Sequence, residues 1–373
     1  MSCDYHLLAS PGIQSLKPYV PGKSIEELAR EKGITDIIKL ASNENPLGCS
    51  PLAQKALANL TPHQLALYPS PTNHPLYAKL AKQVGIDKSM LLLSNGSDYV
   101  FWFLLNIFAL NQNKFMLIHQ YAFITYSIQA QIMGIPTITT AVKADYRVDI
   151  DAMIDACLSN DVAVLFLANP NNPTGVIVEN EQIKHLLTAI PSSTIVVLDE
   201  AYHEYAHPTG SQYSLDLQKE FPNLVLTRTF SKLYGLGALR LGYAIANPVI
   251  IELLLRVQLP FTVNQAALVA AVAALDDPIF IKKTLQCNAE GMAQLIEGLN
   301  QLNLAHLPSH ANFITFDCKI NSQPIYDKLL NDGIIVRPLT AYGLPNHLRV
   351  SIGTHNQNKR FLESLSRAIK KEI

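Results

Sequence analysis

The residues best suited to chemistry stand in one stretch, Thr227–Tyr243, which reads TRTFSKLYGLGALRLGY. Lys232 follows the small hydroxyls Thr229 and Ser231, and Arg240 closes the glycine-containing run after it. A lysine amine forms an imine with an aldehyde, and hydroxyls with a guanidinium hold a phosphate. The set therefore suits a phosphorylated aldehyde cofactor. A lone lysine in a loop carries almost no information, so the reading rests on what accompanies it.

Four further loops accompany it. Asn95-Gly96-Ser97-Asp98 separates an apolar run from a helical pattern. A helix start exposes unpaired N–H groups and the positive end of the dipole, and glycine lets a phosphate approach the backbone. Ser97 and Asp98 are also expected to cap that helix. Phe123, with Tyr126 one helical turn on, offers a face for stacking on a cofactor ring, although most such aromatics are core residues. In Ala168-Asn169-Pro170-Asn171-Asn172-Pro173-Thr174-Gly175, two prolines and a glycine fix a turn. That turn presents Asn172 at a strand end, where its amide suits a cofactor's phenolate oxygen. Asp199-Glu200-Ala201-Tyr202 follows IVVL. A carboxylate at the end of a buried strand is costly without a cationic partner, and a protonated pyridine nitrogen is such a partner. Tyr202 is placed to donate to the same phenolate as Asn172. Taken singly, each loop also reads as an ordinary cap or turn; together they point to one ligand.

The elements that must position these loops are legible as apolar runs. MLLL (90–93), FMLIH (115–119), VAVLFLA (162–168), IVVLDEAY (195–202), LVLTRT (224–229) and LGYAIA (241–246) are apolar at most positions, and helical patterns alternate with several of them. That pattern predicts an α/β fold with a mostly parallel sheet covered by helices on both faces. In such sheets, ligands sit at the carboxyl ends of the strands. After a helix over Gln265–Leu275, AspAspPro at 276–278 punctuates the pattern. A helix to about Leu302, strands at 311–317, 333–337 and 348–352, a helix over 324–330 and a last helix from Gln357 predict a smaller α+β domain. The expected division is an N-terminal arm with a small-domain segment over 1–44, a large cofactor-binding domain over 45–270, and a small C-terminal domain over 271–373.

The bulk properties narrow the partners. The chain has 373 residues, 49% hydrophobic and 16% charged, with a net charge of -1. The low charged share predicts a large core and apolar surface buried between subunits. Near-neutral charge gives no reason to expect a nucleic-acid or membrane partner. Five scattered cysteines form no CxxC pair, which points to reduced thiols in a cytoplasmic protein without a metal site. The N-terminus, MSCDYHLLAS, lacks the basic and apolar regions of a secretory signal.

The spacings taken together resemble the fold-type I pyridoxal-phosphate enzymes, and within them the histidinol-phosphate aminotransferases. The likeness runs nearly the full length. It starts at Pro18-Tyr19-Val20-Pro21-Gly22-Lys23 and continues through Lys39–Gly48, KLASNENPLG, and Leu67-Tyr68-Pro69. It takes in the loops above and ends with GIIVRP (333–338), YGLP (342–345) and LRVSIG (348–353). The resemblance implies that Lys232 holds pyridoxal phosphate as an imine and carries the proton. It implies that Asp199 meets the pyridine nitrogen, Asn172 and Tyr202 the phenolate, and Phe123 the ring face. Ser97, Asp98, Thr229, Ser231 and Arg240 match the phosphate cup, with Asp98 contributing its backbone N–H. Tyr68 matches a tyrosine that reaches the phosphate of a neighbouring subunit, which implies a homodimer with shared active sites. Tyr19, Asn43, Arg337 and Arg349 match substrate contacts. The chain departs from the family pattern at Tyr99, where Glu is frequent, and at Tyr121, where Pro is frequent.

The implied reaction is transamination between histidinol phosphate and 2-oxoglutarate, by ping-pong kinetics. Three rival readings share the scaffold: an aromatic amino-acid aminotransferase, a pyridoxal-phosphate decarboxylase of a phosphorylated amino acid, and a non-catalytic cofactor-binding module.

Overall fold

Residues that are apolar at every position fold here as strands buried on both faces. The computed structural model describes residues 3–18, 22–70 and 72–370. Its strands are β1 (Ile38–Lys39), β2 (Leu91–Ser94), β3 (Phe115–His119), β4 (Thr137–Thr140), β5 (Val162–Ala168), β6 (Ile195–Asp199), β7 (Leu224–Thr229), β8 (Gly242–Ile245), β9 (Phe313–Asp317), β10 (Ile334–Ile335), β11 (Arg337–Leu339) and β12 (Leu344–Ser351). Every residue of β5, β6 and β7 is buried. Burying a Val, Leu or Phe side chain fully contributes roughly 1.5–3 kcal/mol, so these strands anchor the fold.

Seven strands form the central sheet in the order β2-β8-β7-β6-β5-β3-β4. The pairs β7–β6, β6–β5, β5–β3 and β3–β4 are parallel. Only β8 runs antiparallel to its neighbours β2 and β7. The link from β7 to β8 holds a single 3-10 turn, Gly237–Leu239. It has no crossover helix, and a parallel return needs one or an equally long connection. One core cluster, with Leu165, Leu198 and Leu226, lies on one face of the sheet. A second, with Phe101, Phe166 and Val225, lies on the other. Alternate residues of each strand thus feed opposite layers.

A second, three-stranded antiparallel sheet, β11-β12-β9, packs with the helices Pro278–Gln301, Ser322–Asn331 and His355–Ile369 around Leu295, Phe316 and Phe361. The short N-terminal strand β1 joins this region by pairing parallel with β10. The run GIIVR divides between β10 and β11 instead of forming one strand. Among the described residues, no helix is long and apolar enough to cross a membrane, and no group of three or more His, Cys, Asp or Glu is placed to hold a metal ion.

Candidate active site

The carboxyl ends of β2, β5, β6 and β7 open on one cavity of about 980 Å³, its open mouth included. Its lining includes Ser97, Asp98, Phe123, Asn172, Asp199, Tyr202, Thr229, Ser231, Lys232 and Arg240 from the central-sheet region. Asn43, Arg337 and Arg349 line it from the other side. Residues that the sequence scatters over three hundred positions thus meet in one place.

At one end the chain builds an anion cradle. The helix Asp98–Phe108 starts there, with Ser97 at its N-cap position. The expected capping bond from the Ser97 side chain is not made. Ser97 itself has helical backbone angles, φ -63° and ψ -26°, whereas a capping side chain acts from an extended residue. Ser97 lines the cavity instead. Two glycines give the cradle its depth. Gly96 has φ +83°, and a Cβ on it would lie 2.9 Å from Arg240 Nη2. A Cβ on Gly242 would lie 2.4 Å from the Ser97 backbone nitrogen. Glycine at both positions therefore lets the helix start, the guanidinium and the sheet close on a common point. Arg240 Nη1 donates to Gly237 O at 3.1 Å, and its Nη2 lies 3.7 Å from Asp98 Oδ2. The Ser231 N–H donates to Thr229 Oγ1 at 3.0 Å, which brings both hydroxyls to the same turn.

Lys232 stands beside the cradle. Its Nζ donates to Ser42 O at 3.1 Å and lies 5.9 Å from the centre of the Tyr202 ring. Burial at the cavity floor, with the positive charge of Arg349, lowers its pKa to about 8. Asp199, at the end of β6, is 4% exposed. Burial raises its pKa to about 6, against the opposing effect of three neutral donors. Tyr126 Oη donates to Oδ2 at 2.7 Å; Thr227 Oγ1 and the Ala201 N–H donate to Oδ1, each at 3.2 Å. A carboxylate held so, with an elevated pKa, is suited to a protonated ring nitrogen.

The remaining groups face this pair. Arg349 Nη1 donates to Asn172 Oδ1 at 2.5 Å and Nη2 to Ala41 O at 2.7 Å. With its carbonyl oxygen engaged, the Asn172 amide keeps its NH₂ as the free donor. The Asn43 side-chain amide donates to Tyr202 Oη at 2.8 Å. Burial raises the Tyr202 pKa to about 12, so the phenol keeps its proton. Arg337 and Arg349 are directly opposed across the β11–β12 pair. Behind the cavity, Arg228 Nε donates to the buried Glu200 at 2.8 Å, and His203 Nδ1 lies 3.2 Å from the same carboxylate. Burial alone would raise the Glu200 pKa, but these two partners outweigh it and hold the group well below the usual range. This network fastens the turn that carries Asp199 and Tyr202.

Tyr68 is 80% exposed, stacked on Phe261 at 4.5 Å, and outside the cavity of its own chain. Tyr19 lies outside the described residues. At the two departures from the family pattern, Tyr99 meets Phe103 edge-on at 6.1 Å, whereas Tyr121 takes φ +60°. The Tyr121 carbonyl accepts from Asn171 Nδ2 at 3.0 Å and its ring lies 5.7 Å from Tyr146. Those contacts hold the loop where a proline would have stiffened it. Sequence reasoning assigned no role to Ser42 or to Tyr342, both of which line the cavity. The motif containing Tyr342 was the only available signal for it; a backbone carbonyl such as that of Ser42 leaves none.

The sequence profile of the Aminotransferase class I and II family matches residues 35–365. Histidinol-phosphate aminotransferase 2 of Legionella pneumophila (strain Lens) is 57% identical over 365 residues, covering 98% of this chain and 99% of its own. Histidinol-phosphate aminotransferase 1 of Dechloromonas aromatica (strain RCB) is 43% identical over 359 residues, covering 96% and 97%. Among solved structures, the histidinol-phosphate aminotransferase of Sinorhizobium meliloti in complex with pyridoxal-5'-phosphate superimposes with a TM-score of 0.89 at 26% identity, covering 98% of both chains.

Proposed function

The chain belongs to the histidinol-phosphate aminotransferases of the class I and II aminotransferase family, and from this premise we propose how its residues work. The enzyme uses pyridoxal phosphate to move the amino group of histidinol phosphate to 2-oxoglutarate, giving imidazole acetol phosphate and glutamate in histidine biosynthesis. The observation that carries the reading is the single cavity in which Lys232 and Asp199 face Arg337 and Arg349.

When bound, pyridoxal phosphate supplies an aldehyde and a ring that withdraws electrons from the amine's Cα. The glycine-lined cradle at Gly96 and Gly242 fits its phosphate, with Ser97, Asp98, Thr229, Ser231 and Arg240 holding it. Phe123 would cover the ring face, and Asn172 and Tyr202 would donate to its phenolate. Asp199 would keep the ring nitrogen protonated. Lys232, its pKa lowered, would be the attachment point for the aldehyde and, once freed, the base that takes the Cα proton and delivers it across the nitrogen to the former aldehyde carbon. Arg349 anchors the anionic end of the substrate. Its planar fork accepts a phosphate monoester or a carboxylate, so one arginine serves both the amine donor and the 2-oxo acid. Arg337 and Tyr19 add contacts that favour the phosphate, and Asn43 adds a further substrate contact. Product analysis tests the reading. Amino transfer to 2-oxoglutarate with a higher kcat/KM for histidinol phosphate than for phenylalanine is expected, and Arg337→Ala should harm the phosphorylated amine more than the 2-oxo acid. A preference for phenylalanine would assign the aromatic reaction instead, and release of carbon dioxide would assign a decarboxylase.

The working unit is a cytoplasmic homodimer in which Tyr68 reaches the phosphate of the partner's site. The exposed Tyr68–Phe261 stack supports this, since a large aromatic pair left in water is a poor use of apolar area. Tyr68→Phe should weaken cofactor retention about tenfold or more, for the loss of a bond to a charged group. Mixing it with Lys232→Ala should create heterodimers with one site lacking both groups and one intact. Activity is expected to recover on mixing; demonstrated subunit exchange without recovery would exclude sharing through Tyr68.

A further inference from the structure

We propose that Tyr126 is a positioning residue for the reaction: through its bond to Asp199 it sets how firmly the pyridine nitrogen keeps its proton. The proposal rests on the reading of Asp199 given above and extends it to a residue that does not line the cavity.

Tyr126 lies in the helix Ile124–Met133, whose N-cap is Phe123. Its side chain is wholly buried and enclosed by aromatic rings. It stacks on Phe166 with centroids 4.6 Å apart and planes 13° apart. Phe101 meets it edge-on at 5.0 Å, and Phe123 at 5.6 Å. Such a ring has no freedom to turn, so the direction of its hydroxyl is fixed by packing. That hydroxyl donates to Asp199 Oδ2 at 2.7 Å, the shortest bond the carboxylate receives. The two donors to Oδ1 come from β7 and from the turn after β6. Tyr126 alone reaches Asp199 from the element that also presents the ring-stacking Phe123.

The chemistry follows from sharing a proton between Asp199 and the ring nitrogen. The pair exists either as carboxylate with pyridinium or as carboxylic acid with neutral pyridine, with the same proton count. A donor to the carboxylate favours the charged arrangement. Without it, burial raises the basicity of Asp199 and the proton moves toward oxygen. The Tyr126 phenol cannot compete for that proton or lose its own, because burial and the adjacent Asp199 raise its pKa well above the usual value. Tyr126 thus acts as a permanent donor, with Asp199 as the group through which it works.

The test uses holoenzyme reconstituted with pyridoxal phosphate labelled with ¹⁵N in the ring. The ¹⁵N chemical shift distinguishes pyridinium from neutral pyridine, and its plateau, where the pair holds its one proton, gives the ratio of the two arrangements. In Tyr126→Phe, which keeps the ring and its packing, the pyridinium-to-pyridine ratio should fall about tenfold or more, moving the plateau shift toward neutral pyridine. kcat should fall with it, while KM for the amine changes little. Fluorotyrosine placed at position 126 is a stronger donor and should move the plateau the other way, a comparison that holds even if the phenylalanine variant folds poorly. Plateau shifts that stay at the wild-type value in both proteins would overturn the role of Tyr126. A wild-type enzyme whose ring nitrogen is neutral throughout would instead overturn the reading of Asp199.

Discussion

Lys232→Ala is expected to lower turnover by about ten-thousandfold or more, the upper end of what one positioned proton-transfer group contributes. In the proposed roles the variant loses both the attachment point and the base, so the two effects compound. The loss should appear equally in both half-reactions, because each needs a proton moved at the same carbon. Borohydride reduction of the loaded wild-type protein should fix the cofactor to Lys232, and peptide mapping that finds it on another lysine excludes the assignment. The pH dependence gives an independent check. Only the uncharged amine attacks an aldehyde, and the Lys232 pKa is lowered to about 8 by burial and by Arg349. The rate at which ligand-free protein takes up the aldehyde should therefore rise about tenfold per pH unit below that value and level off above it. An unperturbed lysine would go on rising to about pH 10.4. Arg349→Ala removes one cause of the lowering, so its plateau should move to higher pH. A plateau that stays in place would mean that Arg349 does not act on Lys232 through its charge.

How much of this was legible in the sequence depended on what each residue's environment demands. β5, β6 and β7 are buried on both faces and so appear as unbroken apolar runs. β4, reading TITT at the sheet edge, alternates between exposed and half-buried and carries no such run. β1 and β10 are two residues each and pair across almost three hundred positions, too short to show a period. The loops after β2, β5, β6 and β7 announced themselves because turns require Gly, Pro and Asn, and because a buried Asp requires a reason. The bond from Tyr126 to Asp199 was not legible, since a tyrosine in a helix packs in a core far more often than it holds a carboxylate. The Ser97 side chain had the right type for a cap, but the backbone angles that decide capping are not written in its identity.

Asp199 should give the second large effect, and its size tests the electronic part of the reading. Asp199→Ala is expected to cut kcat by about a hundredfold or more, as when a preorganised charge aimed at the transition state is removed. Part of any loss in this variant would come from packing. The Tyr126 hydroxyl and Thr227 Oγ1 would lose their acceptor in a buried site, which destabilises by about 1–3 kcal/mol per group. Asp199→Asn separates the two effects. It keeps the volume and an acceptor oxygen for Tyr126, but it carries no charge to hold a proton on the ring nitrogen. If charge matters, the asparagine variant should fold and bind cofactor nearly as wild type does yet remain about as slow as the alanine variant. A cofactor methylated on its ring nitrogen carries a fixed positive charge and needs no carboxylate to maintain it, so it should restore part of the lost rate in either variant. It should give wild type no advantage. An asparagine variant that turns over at the wild-type rate, or variants indifferent to the methylated cofactor, would leave Asp199 as a positioning group whose charge plays no part.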